Sequence, residues 1–233
     1  MSSRLASFRG PSTPTTSPAA PQKYLNSPAS PSRSSPPEST YHRKTRTSLQ
    51  ELRSISETWD DLVVIDGLKA ARELVNTRTD LDNDLKLIPD KKPRKVMVLP
   101  RLSTMDECIA NLDAVITKLR KQFYKMNSVI ENLEMILIDA SKVKGWRWVH
   151  EEPLWVTWSL EAFVTRVPEV LKAYHRSLAL HVELVNKLRK HSITFEQSRE
   201  IINQWAEQPW LDNAGWEAAW EDICEAEVEG WNR

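Results

Sequence analysis

The sequence predicts an all-α protein: an elongated antiparallel helical bundle with two long amphipathic helices, preceded by a disordered N-terminal tail. Three observations carry that expectation. Between Ser103 and Lys144 the apolar residues Met105, Ile109, Leu112, Ile116, Leu119, Phe123, Met126, Ile130, Leu133, Leu137 and Ala140 step 4, 3, 4, 3 without a miss, which places them all on one helix face. Between Ser159 and His191 the rhythm returns in Leu160, Val164, Val167, Leu171, Tyr174, Leu178, His181, Val185 and Leu188. Residues 1–46, in contrast, hold eight prolines among many Ser and Thr, too little apolar surface to offset the entropy of ordering. Two regions follow: a disordered Pro/Ser-rich basic tail over 1–46 and a helical bundle domain over 47–233.

The tail is where charge collects. The chain is neutral overall, with 32 basic and 32 acidic residues, yet residues 1–46 hold seven Lys or Arg against the single acid Glu38. Five Ser/Thr-Pro steps, at Thr13, Ser17, Ser27, Ser30 and Ser35, are candidate phosphorylation sites through which proline-directed kinases would cancel that charge. Arg43, Lys44 and Arg46 predict weak nucleic-acid contact, since no aromatic residues interleave them for base stacking. Prolines from Pro11 onward deny the tail the amphipathic helix of a mitochondrial presequence.

A first helix is expected from about Thr47 to Asn83. Leu49, Leu52, Ile55, Trp59 and Leu62 run at helical spacing, and Ile65, Leu68, Leu74, Val75 and Leu81 continue it less regularly. Gly67 interrupts the pattern, which predicts a kink or a close helix approach there. Pro89, Pro93 and Pro100 then make 84–102 a connector. Within it Lys91, Lys92, Arg94 and Lys95 form a short basic cluster with the composition of a nuclear import signal.

The rod over 103–144 opens on a capping box, Thr104 with Glu107, and Gly145 ends it behind Lys142 and Lys144. Read as heptads, Ile109, Ile116, Phe123, Ile130 and Leu137 alternate with the Leu- and Met-rich column, as a two-stranded coil prefers. Val115, Val129, Ile136 and Val143 widen the stripe to three columns, which favours packing among several helices in one molecule. The 159–191 rod has the same breadth, and Pro168 predicts a kink or a start within it. The two rods, joined by an aromatic turn with Trp146, Trp148, Trp155 and Trp158, are expected to pack antiparallel. His181 sits in the seam as a hydrogen-bonded core residue.

The last 40 residues read as two shorter helices. Thr194 and Gln197 cap the first, Pro209 ends it, and the second lies near Asp212 to Glu229. From Glu196 to Glu229 there are ten acids and one base, Arg199, interspersed with Trp. Ten tryptophans are divided between core filling and interface anchoring. Trp210, Trp216 and Trp231, near the acidic end, are expected to be exposed and are the candidate partner-binding residues.

Catalytic patterns are missing from the sequence. Its five glycines do not cluster into a phosphate cradle, Cys108 and Cys224 lack neighbouring metal ligands, and nucleophile-elbow motifs do not occur. Two cysteines suit a reducing compartment, and no apolar run reaches membrane-spanning length. The expectation is a non-enzymatic protein with no cofactor, no membrane contact and no small-molecule substrate, working through protein partners in the nucleus and/or cytoplasm.

Thr58-Trp59-Asp60-Asp61-Leu62 in the first helix, Pro100-Arg101-Leu102 entering the long rod, Ala173-Tyr174-His175-Arg176-Ser177-Leu178, and the acidic Trp helix from Trp216 to Ile223 occur in an order that resembles a known family. It is that of the AAA-ATPase-interacting ribosome maturation factors, also described as casein kinase 2 substrates, and the resemblance spans roughly residues 49–225. It implies a non-catalytic adaptor subunit that binds a AAA+ ATPase acting on late large-ribosomal-subunit precursor particles. The alternative is a structural coiled-coil subunit of a chromosome- or cytoskeleton-associated complex, with the Ile109–Leu137 seam facing a second chain.

Overall fold

A computed structural model describes residues 38–87, 94–212 and 216–231, and the chain divides into two units, Met1–Pro37 and Glu38–Arg233. In the second unit α1 (Thr40–Asp60) passes through a π-helical segment (Asp61–Gly67) directly into α2 (Leu68–Leu87). There follow α3 (Lys95–Lys144), α4 (Trp146–His150), α5 (Leu160–Arg166) and α6 (Glu169–Leu188). The chain continues through α7 (Phe195–Glu207), α8 (Pro209–Asp212), α9 (Trp216–Glu221) and a second π-helical segment (Asp222–Glu227). No strand occurs among the described residues, and none of their helices is long and apolar enough to cross a membrane.

Three rods lie side by side, and cross-links fix their directions. The Tyr41 hydroxyl donates to the Asp139 carbonyl at 3.5 Å, Lys118 pairs with Asp66 at 3.1 Å, and Arg101 reaches both Asp80 and Asp84 at 3.6 Å. Numbers rise along α1–α2 as they fall along α3, so those rods are antiparallel. Arg189 pairs with Asp113, and the His175 ring lies 5.6 Å from that of Phe123. The expected antiparallel packing of α3 on the 160–188 rod is therefore present, with α1–α2 closing another side. Met105, Leu112, Leu119, Met126, Leu133 and Ala140 are all essentially inaccessible, as are Leu160, Phe163, Val167, Leu184 and Leu188. Gly145 ends α3 with φ +89°, and Thr194 and Gln197 form the expected capping box. Pro168 separates α5 from α6.

Two boundaries differ from expectation. Helix α1 begins at Thr40 rather than Thr47, with Ser39 as its N-cap accepting from the His42 amide. Residues 38–46 thus belong to the bundle; their basic, proline-adjacent composition hid the buried Thr45 and the half-buried Tyr41, His42 and Arg46. Helix α3 begins at Lys95 and runs through Pro100, so Thr104 is no cap: its hydroxyl bonds back to the Pro100 carbonyl at 3.2 Å. A proline removes one hydrogen bond and crowds the turn before it. Here the carbonyl left without that donor is Val96 in the helix's own first turn, and Val96 is 78% exposed, so water can replace the lost amide.

Helix α7 crosses the α1–α2 rod at its π-helical segment. The Trp205 ring is fully buried, its indole N–H donates to the Val63 carbonyl at 3.0 Å, and a Cβ added to Gly67 would lie 2.4 Å from the ring's Cζ2. The close approach expected at Gly67 is thus to an indole. His181 meets the other side of that indole edge-on at 4.6 Å, while its Nδ1 lies 2.7 Å from the Ser177 carbonyl. We expect Gly67→Ala to destabilise the fold by about 1–2 kcal/mol in urea unfolding. Overpacking against an immobile ring costs about 1–3 kcal/mol, more than the ~1 kcal/mol that Ala gains in helix propensity. In a Trp205→Leu background the same substitution should become neutral or stabilising, because the obstructing ring is gone.

Candidate functional site

The densest polar and aromatic constellation lies at the end of the bundle where α1 starts and α3 finishes. It forms because Ser39 starts α1 early, so His42 and Arg46 project one turn apart toward the 151–159 loop. Arg46 forms a two-pronged pair with Glu38, contributes Nη2 to the Glu229 carbonyl, and places its guanidinium 5.4 Å from the Trp155 ring centre. The Trp155 indole N–H donates to the same Glu38 carboxylate at 3.1 Å. His42 meets Trp155 edge-on at 5.4 Å, and Tyr41 lies against Trp148 at 5.7 Å. The hydrogen bond from Arg46 holds the Glu38 carboxyl below its ordinary range; burial opposes it, and the Trp155 hydrogen bond reinforces it. Burial pushes the His42 imidazole down, so it is neutral at physiological pH.

A second knot pins the C-terminal segment to the same loop. The Glu227 carboxylate accepts from the Thr157 amide at 3.0 Å, the Trp158 amide at 3.1 Å and the Thr157 hydroxyl at 2.6 Å. Burial raises its affinity for a proton, but those three donors and the nearby Arg166 charge outweigh it and hold the carboxyl low. Arg166 itself lies 4.5 Å over the Trp158 ring. Beyond Glu227, Val228 and Trp231 are buried, Trp231 meets Trp220 edge-on at 6.4 Å, and the Trp231 carbonyl accepts from Gln50 at 3.3 Å.

The candidate partner-binding residues separate. Trp210 is 44% exposed, with the Arg176 guanidinium 5.2 Å from its ring. Trp231 is only 7% exposed, a correction to its expected exposure: the chain turns back at Gly230 (φ +72°) and lays the ring against the bundle. The side chain of Trp216 lies outside the described residues. So do Thr13, Ser17, Ser27, Ser30, Ser35, Lys91 and Lys92, whereas Arg94 and Lys95 are exposed at the start of α3. Sequence reasoning missed Glu38 and Glu227, and it assigned Arg46 to nucleic-acid contact, whereas Arg46 is committed to Glu38 and the Glu229 carbonyl. Partners of Glu38, Glu227 and Arg46 lie 117, 70 and 183 residues away, a separation that local pattern cannot register.

A separate groove of about 700 Å³ runs between the first turns of α1 and the last turns of α3, lined by Arg43, Lys44, Thr47, Met135, Ile136 and Asp139 among others. Of these, Met135 is 63% exposed. Among the described residues no group of three or more His, Cys, Asp or Glu side chains could hold a metal ion. Cys108 and Cys224 are both buried, and burial raises both thiols, Cys224 to about 12, so neither is a nucleophile at neutral pH. Comparison with protein-family models and with curated proteins finds no match.

The two carboxylates set a pH dependence. Both folded-state values are depressed, so each contributes stability that is fully present above the unfolded value of about 4.3 and lost as pH falls through the folded value. Amide hydrogen exchange at residues 227–231 should accelerate on acidification below that value before exchange in α3 does, and Glu227→Gln should flatten this early phase. At neutral pH that substitution should cost about 1–2 kcal/mol, the scale of charge-assisted hydrogen bonds at a half-buried site.

Proposed function

We propose that this chain is a non-catalytic helical adaptor subunit. The observation that carries the reading is the α1–α3 groove. Helix α3 commits most of its heptad columns to the core, yet Met135 stands exposed and Ile136 half-buried along a cleft with Arg43 and Lys44 on one wall. Apolar side chains in a charged frame suit a partner's amphipathic helix. The resemblance stated above implies, as that partner, a AAA+ ATPase complex that acts on large-ribosomal-subunit precursors. In its support, two segments that carry the resemblance meet in the core: the buried rings of Trp59 and Tyr174 pack edge to face at 5.1 Å. Arg94 and Lys95, exposed ahead of α3, fit a nuclear import role and a site of action in nucleus and cytoplasm.

The competing coiled-coil reading requires the Ile109–Leu137 seam for a second chain. Ile116 and Ile130 of that seam are already at most 7% exposed within one molecule. Light scattering should therefore give a monomer, with Ile116→Asn lowering stability by about 3 kcal/mol rather than splitting a dimer; a dimer that dissociates on this substitution would restore the coil. Capture with the full chain from cell extract should recover a AAA+ ATPase together with ribosomal precursors, and Met135→Asp with Lys44→Glu should reduce that recovery about tenfold while helical content is unchanged. Recovery of neither partner removes the reading.

A further inference from the structure

We propose that the Thr157–Trp158 turn is an oxyanion-binding site which the chain keeps closed with its own Glu227. Two successive backbone N–H groups and one hydroxyl converge on a single carboxylate, at 3.0, 3.1 and 2.6 Å. Consecutive amides aimed at one point are a general anion receptor, and here the receptor is seen occupied by an oxyanion. The site is not the N-terminus of α5, whose cap Ser159 spends its hydroxyl on the Ala162 amide.

Three further features make the occupant exchangeable. Thr157 is exposed and Val156 beside it is 54% exposed, so the donors are reachable from solvent. Arg166 lies over Trp158 as a cation at the edge of the receptor, with no ion pair among the described residues. The segment that delivers Glu227 is under electrostatic load: Asp222, Glu225, Glu227 and Glu229 fall within eight residues that contain no base, and like charges at this spacing repel. Displacement of Glu227 by an incoming oxyanion relieves that repulsion and frees the segment anchored by Val228 and Trp231. The ligand class is an oxyanion, either the carboxylate of an acidic side chain or a phosphate monoester. The inference goes beyond the adaptor reading and stands whichever partner the bundle serves.

The test is an NMR titration of ¹⁵N-labelled full-length chain carrying Glu227→Ala, with sodium phosphate in one arm and sodium acetate in the other, at constant ionic strength. Saturable shifts of the Thr157 and Trp158 amides are expected, at least about tenfold tighter than in the unsubstituted chain, where Glu227 competes at high effective concentration. Adding Thr157→Val or Arg166→Ala to the variant should weaken binding. Saturation by phosphate alone assigns the site to phosphorylated groups, and by acetate alone to acidic side chains. Absence of saturable shifts in both arms, or equal binding by the unsubstituted chain, overturns the proposal. Should Glu227→Ala disturb amides beyond 220–231, Glu227→Gln, which keeps the side-chain shape without the charge, carries the same titration.

Discussion

The contact of the Trp205 indole with Gly67 and the Val63 carbonyl is the constraint on which the bundle's registration depends. A π-helical segment accommodates one residue more than an α-helix of the same rise and leaves a carbonyl short of its usual partner. That residue is needed here. In α1 the inward positions run through Leu52, Ile55, Trp59 and Leu62, and a uniform α-helix would next turn Asp66 into the core. Instead Asp66 lies at the exposed rim, where it pairs with Lys118 of α3 at 3.1 Å, while Gly67, Ala71, Leu74, Arg78 and Leu81 are buried. The Val63 carbonyl accepts the Leu68 amide and, as a second donor, the indole N–H, and only the absence of a Cβ at Gly67 allows the ring that close. The irregularity, its filler and its hydrogen-bond donor form one unit.

Around that unit the polar groups follow from the packing. Gln208 ends α7 in the left-handed region at φ +41°, a conformation that costs a non-glycine residue roughly 1–2 kcal/mol. Its side chain repays this by accepting from the Trp59 indole and donating to Asp60, both at 3.3 Å. Arg78, inward by the same phase shift, donates to the Leu188 carbonyl at 2.7 Å and so meets the negative end of α6. Burial lowers its affinity for a proton, yet a guanidinium retains its charge, which makes a helix C-terminus a fitting neighbour.

The helical class, the antiparallel rods, the Gly145 stop, the Thr194–Gln197 box and the break at Pro168 were all legible, because each depends on residues within a few turns of one another. The stutter at 62–67 was visible as irregular spacing around Gly67, but its cause, an indole 138 residues later, was not. Composition misplaced the start of α1: prolines and bases up to Arg46 describe a solvated arm, and only the partners Glu38, Trp155 and Glu229 turn Arg46 into a structural residue. Trp231 was misread for the complementary reason. Acidic neighbours suggest water, whereas the fold uses their backbone as a hinge and buries the ring.

Sequence separation also orders the molecule's stability. The rods pair over separations that run from 52 residues at Asp66–Lys118 to 98 at Tyr41–Asp139. The end knots join residues up to 183 apart. Loop entropy for such contacts is tolerable only once the rods have set their geometry. The knots' charged and hydrogen-bonded atoms are partly exposed, beside the buried Trp220, Val228 and Trp231. A polar, solvent-reachable junction is the part of a fold that opens first under native conditions. In this chain it is also where Trp155, Trp158, Trp220 and Trp231 are gathered, so opening the junction changes the aromatic surface at this end of the bundle while the three rods stay packed.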